Sequence, residues 1–354
     1  MHSSVVFTPD DTDWRLPGAG PGLLLDVPGT GPWLRRPSFH VEAAPVYRLR
    51  ISSGGQPLLW LRIDDWWGSC GFLRGHALAP GLIPPLPVTE VRGIPHEPGT
   101  SAWWESWTWH LARALERSPQ PVLHVGRWCL RPLQAVTRRE SAPYPSVPSG
   151  LTGGPADPPH SLEGVLRWEP LWVEEWSSGG PPGDGSVSSG AVLPLRAPSA
   201  GNDGRVKSWR KHARAGTLPP ALLLYLEVAG KWLVLDGHDR LHAALLEGVP
   251  PPLLGLWAVF EEEVPEDPVR REGLQLSVEV QLRSKTAPGV IDRANRALVR
   301  EFRGLRRAAV TRAWLLPGGV EAWRSEVLSW RRQHPLLPET EKGDWEWLLS
   351  PRLG

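Results

Sequence analysis

The 354-residue sequence predicts an α+β fold in three parts. A tryptophan-rich α+β domain over about 1–140 leads through a Pro/Gly/Ser-rich connection (141–190, one strand) to a central α+β domain over 191–262. A strand and a basic helical segment follow over 263–354. Three observations predict this. The length suits two or three domains at about 150 residues each. Alternating or short apolar runs between turn residues are interleaved with only a few segments of helical period. All five lysines (Lys207, Lys211, Lys231, Lys285 and Lys342) lie beyond the Gly/Pro/Ser-dense stretches at 141–160 and 177–190.

In chain order, Val46–Ile51 and Leu58–Ile63 alternate around Ser52-Ser-Gly-Gly55 and predict a β-hairpin. Prolines at 84, 85 and 87 bar the following run from a central strand or a helix. Thr100–Ser118 predicts a helix, with Thr100 or Ser101 as cap, Pro119 as stop, and Trp104, Trp107, Leu111, Ala114 and Leu115 at helical spacing. Val122–Leu130 reads as a strand, and Leu166–Trp176 as a strand packed on the N-terminal part. Beyond 263, Leu274–Leu282 alternates like a strand. Pro288–Leu316 reads as one long helix stopped by Pro317-Gly318-Gly319, and Val320–Gln333 as a second helix.

Composition narrows the function classes. The net charge is +1, so the chain as a whole has no pull toward nucleic acid or membrane. With 40 prolines and 37 glycines, many long loops are expected. The 21 tryptophans beside 3 tyrosines and one methionine fit GC-rich coding and carry little functional weight. Cys70 and Cys129 form no disulfide framework and read as small buried thiols of a reducing compartment. The N-terminal residues show no basic region followed by an apolar core, and no run approaches the roughly 18 apolar residues of a membrane span. The expectation is a soluble, cytoplasmic protein without membrane contact.

Residues 191–260 carry the chemistry. Leu193–Arg196 reads as a short strand, and a helix over Gly204–Ala215 follows. On that helix Lys207, Arg210, Lys211 and Arg214 share one face at i, i+3, i+4 and i+7, with Val206, Trp209 and Ala213 on another. The basic face suits phosphate; it also suits a solvated surface near a helix C-terminus. Ala221–Val228, a turn at Ala229-Gly-Lys231, and Trp232–Leu235 make strand, turn, strand. The last runs directly into Asp236-Gly-His-Asp-Arg-Leu-His-Ala-Ala244, a helix ending before Gly248, and Leu253–Phe260 is a further strand. A strand that turns through a glycine into a helix presents free N–H groups at the positive end of the helix dipole, which attracts anions. Gly237 would let the backbone approach closely. Arg240 would fork onto phosphate oxygens. His238 is the acid/base candidate, and Asp236 and Asp239 would cap the helix, orient the histidine or hold a Mg²⁺–nucleotide.

The run VLDGHDRLHAALLEGVP, preceded by PLR, the basic helix and GTLPPALLL, resembles the ParB/sulfiredoxin-like nucleotide-binding fold. The ParB-type pattern of glycine, arginine and alanine falls on Gly237, Arg240 and Ala243. His238 stands where the sulfiredoxin branch has cysteine, which removes the nucleophile of its reductase chemistry. Asp-Gly-His-x-Arg is nearer to relatives that include ADP-dependent serine kinases, with Asp239 in place of their second histidine. The resemblance covers about residues 191–260. It implies a site for the phosphates of ATP, CTP or a similar nucleotide, with Mg²⁺ as its counter-ion, and it leaves open a phosphotransferase or hydrolase on one side and a non-catalytic nucleotide sensor on the other.

Competing readings are weaker. HDRLH imitates the zinc-protease HExxH, but the acid is aspartate and no third ligand follows at a familiar spacing, so no metal site is expected. Asp-Gly before a helix is also an ordinary turn and cap. Arg293, Arg296, Arg300, Arg303 and Arg307 would form a basic stripe on the long C-terminal helix, which makes nucleic acid, or a ParB-like nuclease, the less favoured alternative. Trp66-Trp67, Trp103-Trp104 and Trp107 read as core rather than as stacking platforms, and the N-terminal part is the candidate for holding a protein partner.

Overall fold

A computed structural model describes residues 5–10, 22–30, 38–63, 70–74, 82–87, 90–91, 93–94, 97–136, 172–174, 185–188, 192–196, 199–263, 267–284, 298, 305–333 and 348–350. It contains both helices and mixed sheets, an α+β protein. The N-terminal stretch gives β1 (Val6–Asp10), β2 (Gly22–Val27), β3 (Phe39–Ala44), β4 (Arg48–Ser53), β5 (Gln56–Ile63), β6 (Cys70–Arg74), α1 (Ser101–Arg117) and β7 (Gly126–Val136). Then come β8 (Trp172–Glu174), β9 (Gly185–Ser188), β10 (Val192–Pro194), α2 (Gly204–Arg214), β11 (Ala221–Leu226), β12 (Lys231–Asp236), α3 (His238–Glu247) and β13 (Leu253–Glu263). The chain closes with α4 (Pro268–Ser284), β14 (Leu305–Val310), β15 (Trp314–Leu315) and α5 (Gly319–Gln333).

One compact unit comprises Met1–Thr152, Pro170–Ala258 and Val310–Gly354. Its larger sheet runs β1-β2-β7-β13-β11-β12-β10, with β8 on β7. β11 and β12 pair antiparallel across the expected tight turn, where Gly230 adopts φ 59°. β10 lies parallel to β12, and β13 parallel to β11. β12 is buried along its whole length, and β11 at all but Tyr225, which is why both read as continuous apolar runs rather than alternating ones. α1 packs against β2 and β7. Thr100 caps it, its hydroxyl accepting from Trp103 N at 3.3 Å, and Trp103, Trp107, Leu111 and Leu115 face inward.

The second sheet of this unit runs β15-β3-β4-β5-β6-β9. Gly54 and Gly55, at φ 56° and 80°, close the predicted β4–β5 hairpin. Against this sheet α5 buries Trp323, Val327 and Trp330 among Ala44, Trp60, Leu73, Leu316 and Leu348. Two tryptophan N–H groups in this core have acceptors: Trp60 donates to Glu326 (3.0 Å) and Trp323 to the Leu49 carbonyl (2.9 Å). The other compact unit, Gly153–Glu169 with Val259–Ala309, contains α4 and, in its described residues, the outer part of β13 and most of β14, which pairs with β13.

Several expectations need correction. A division at 140 and 191 is not the one the strands follow, because β1, β2 and β7 join β10–β13 in a single sheet. Leu274–Leu282 is not a strand but part of α4: Pro268 opens that helix, where its missing N–H costs nothing, and Arg283 pairs with Glu279 one turn back at 3.3 Å. The alternating pattern then cannot match a 3.6-residue period, and Leu276 and Val280 are left exposed while Val278 is buried. Pro288–Leu316 is not one helix either. Its described C-terminal end forms β14 and β15, so Arg307 lies on a strand, and strand pairing has overridden helical spacing; Arg293, Arg296, Arg300 and Arg303 lie outside the described residues. Val46 and Tyr47, expected at the start of a strand, take left-handed φ of 63° and 54° in the turn between β3 and β4. The strand expected at 122 begins at Gly126 and extends through Pro132, which sits beyond the β2 register ending at Leu130 and before the β8 register starting at Gln134. Of the strand expected at 166–176, Trp172–Glu174 is described; Trp66 and Trp67 lie outside the described residues.

Candidate functional site

Asp236 is the last residue of β12, between β11 and β10, and Gly237 turns the chain into α3 with φ 96° and ψ 20°. That conformation favours glycine, and space enforces it too: a Cβ at 237 would stand 2.8 Å from Ala221 Cβ and 2.9 Å from Arg240 Nη2. The helix begins with Leu241 N donating to Gly237 O at 2.9 Å. No side chain caps it, so the first-turn amides lack the side-chain acceptor that normally satisfies one of them.

Arg240 does not face outward from this turn. It is 2% exposed, and its Nη2 donates to Asp236 Oδ2 at 2.6 Å and to the Pro220 carbonyl at 3.0 Å. Its guanidinium lies 5.8 Å from the centre of the buried Trp209 ring. The residue expected to clamp phosphate thus ties α3 to the end of β12, to the chain before β11 and to α2.

His238 is also turned inward. Its Nε2 accepts from Arg196 N at 3.3 Å, which places the ring proton on Nδ1. Burial foremost, then the charge of Arg196, lower its pKa from 6.5 to about 3; Asp239 opposes them, while Arg74 and Arg240 add to them. A neutral imidazole already holding a backbone N–H is a structural acceptor rather than a proton donor at neutral pH. The linkage has a definite sign. Between about pH 3 and 6.5 the unfolded chain binds the proton and the folded one does not, so this group's contribution is complete above pH 6.5 and is lost as the pH falls toward 3. Wild type should lose about 2 kcal/mol relative to His238→Gln between pH 8 and pH 5. Urea unfolding at both pH values checks this, and equal acid sensitivity in the two proteins would contradict it.

Asp239, 3% exposed, is fully engaged. Oδ1 accepts from Ser199 N at 2.9 Å, and Oδ2 meets Arg196 Nη2 at 3.2 Å and Arg205 Nε at 3.5 Å. Burial works to raise its pKa, but the Ser199 N–H and the Arg196 guanidinium outweigh it and hold the carboxyl below its ordinary value. Both oxygens of Asp239 are therefore occupied by donors.

The basic face of α2 divides. Arg210 and Arg214 turn to Glu247 at the end of α3, at 2.5 and 3.7 Å, while Lys207 and Lys211 are exposed. The cations that reach the start of α3 are Arg196 and Arg205, whose side chains stay 49% and 45% exposed. Sequence reasoning did not select them: Arg196 closes a short strand 42 positions before His238, and no spacing rule links the two. At the margin of the site, His110 of α1 bonds Glu90 at 3.3 Å. Its pKa is lowered chiefly by burial, and it also senses the charges of Asp236 and Arg240. His238 and His242 do not converge on a common point, since His242 Nδ1 pairs with the Ser199 carbonyl at 3.1 Å. Among the described residues no group of three His, Cys, Asp or Glu could hold a metal ion.

No protein-family model, no curated protein and no solved structure matches the chain. Among the described residues, no helix is long and apolar enough to cross a membrane.

Proposed function

We propose that the chain binds a nucleotide, ATP or CTP, or another phosphorylated small ligand at the start of α3. The observation that carries this reading is an uncapped first turn behind a left-handed glycine, with two half-exposed guanidiniums beside it. First-turn amides would donate to phosphate oxygens, and Arg196 and Arg205 would share their charge between the ligand and Asp239. Arg240 and Asp236 shape the turn from behind. Lys207 and Lys211 lie on the outer face of α2 and add only long-range attraction. With both Asp239 oxygens engaged, Mg²⁺ would arrive on the ligand phosphates rather than on that carboxylate.

The same geometry favours binding over turnover. His238 is neutral and committed to Arg196 N, which leaves a phosphotransferase or hydrolase without its acid/base at this position. A nucleotide-sensing interaction protein fits these residues better. A thermal-shift panel of ATP, ADP, CTP and GTP, with and without Mg²⁺, tests the reading. A cognate nucleotide at a hundred times its Kd should stabilise wild type by about 2.7 kcal/mol, and Arg196→Ala/Arg205→Ala should lose most of that shift. Phosphate release above background would restore the enzyme reading, and no shift with any nucleotide would overturn the site.

A further inference from the structure

Arg48 opens β4, Arg62 lies near the end of β5, and the two are direct cross-strand partners. Like charges placed opposite each other on neighbouring strands repel. Both residues are closed off from water, at 0% and 2% exposure, so the repulsion is poorly screened. A third cation joins them from α5. Arg324 follows Trp323, and the Arg48 guanidinium lies over the Trp323 ring, 5.6 Å from its centre. Burial foremost, then the charges of Arg62 and Arg324, lower the pKa of Arg48 to about 10, with Glu321 opposing them.

The groups that Arg48 bonds are neutral. Its Nη1 donates to the Pro45 and Val46 carbonyls at 3.4 and 3.2 Å, and its Nη2 to the Ser350 carbonyl, which also accepts from Arg62 Nη1 at 3.1 Å. Two guanidiniums thus share one uncharged oxygen. The Nε–H groups of Arg48 and Arg324 are buried and have no hydrogen-bond partner among the described residues. Such donors bear their full desolvation cost. Arg324 meets Glu321 at only 3.7 Å, and that carboxylate is 84% exposed, so it does little to offset the buried charge.

We infer that Arg48, Arg62 and Arg324 form a binding site for a phosphate-class oxyanion between the β4–β5 pair and α5. The Nε–H groups of Arg48 and Arg324 donate to its oxygens, as guanidiniums do to tetrahedral oxyanions. Arg62 contributes charge while keeping its bond to the Ser350 carbonyl. Three cations against one exposed carboxylate leave an excess of positive charge that an anion neutralises. The Arg324 side chain, 32% exposed, marks the side from which the ion enters. This site draws on other residues than the start of α3 and does not rest on the nucleotide reading.

Inorganic phosphate titrated into the isotope-labelled full chain, at neutral pH and constant ionic strength, tests the site through the side-chain Nε–H signals of Arg48 and Arg324. In wild type both signals should move along one saturable curve with a common Kd. That Kd should be unchanged in Arg196→Ala/Arg205→Ala, which removes the cations at the start of α3. In Arg324→Gln the Kd read from Arg48 should rise about tenfold or more, the worth of one charge-assisted hydrogen bond. If phosphate moves neither signal in wild type, or moves them only in proportion to its concentration, the site is overturned without recourse to a variant. It is overturned equally if the Arg48 response is the same in Arg324→Gln, or disappears in Arg196→Ala/Arg205→Ala.

Discussion

Alanine at Asp236 is expected to destabilise the protein by about 3–5 kcal/mol, the cost of leaving a buried charge without its partner. Arg240 is 2% exposed, and Asp236 Oδ2 is the carboxylate oxygen in contact with it, at 2.6 Å. Its remaining hydrogen bond goes to the neutral carbonyl of Pro220, and its Nε is buried with no hydrogen-bond partner in the protein. Removing the acid strands the guanidinium against Trp209, where water cannot replace the lost bond. The double variant Asp236→Ala/Arg240→Met should recover much of the loss, because a buried pair exchanged for apolar groups of similar volume is often close to neutral. Urea unfolding of the two variants and wild type reads both effects. A loss under about 1 kcal/mol for Asp236→Ala would mean that the arginine reaches solvent, outside the range for a buried pair.

Gly237→Ala is expected to cost about 2–4 kcal/mol, from a left-handed backbone imposed on alanine and from overpacking. The φ of 96° accounts for the first part. The second comes from Ala221, whose Cβ and Cα would stand 2.8 and 3.0 Å from the new methyl group, with Arg240 Nη2 at 2.9 Å. These contributions separate: Ala221→Gly in the Gly237→Ala background should relieve the contact with the Ala221 methyl and leave the backbone strain. A second substitution that recovers nothing would show that the strain alone sets the loss.

The central elements were legible because local and tertiary preferences agree there. The β11–β12 hairpin, the glycine turn and α3 follow in the order that apolar runs, Gly230, Gly237 and Gly248 announce. In α4 the signals conflict: the alternation of Leu274, Leu276, Val278 and Val280 is a strand signal, whereas Pro268 and the Glu279–Arg283 pair suit a helix. The pairing of β14 with β13 is a long-range choice that a helical arginine spacing does not reveal. The single sheet shared by β2, β7 and β13 was invisible for the same reason. In the candidate site, residue types and the turn were readable, but directions were not. Nothing in the sequence says that Arg240 folds back onto Asp236, or that Arg196 and Arg205 take its place at the surface.

The most direct measurement is an amide chemical-shift titration of isotope-labelled protein with CTP and with ATP, each with Mg²⁺, followed at His238, Asp239 and Arg240. Phosphate seated on the first turn of α3 should move these three amides in a saturable way, together with the side-chain Nε–H signals of Arg196 and Arg205. Saturable shifts confined to Lys207 and Lys211 on the outer face of α2, or no saturable shift anywhere in the folded protein, would contradict a nucleotide site at Gly237.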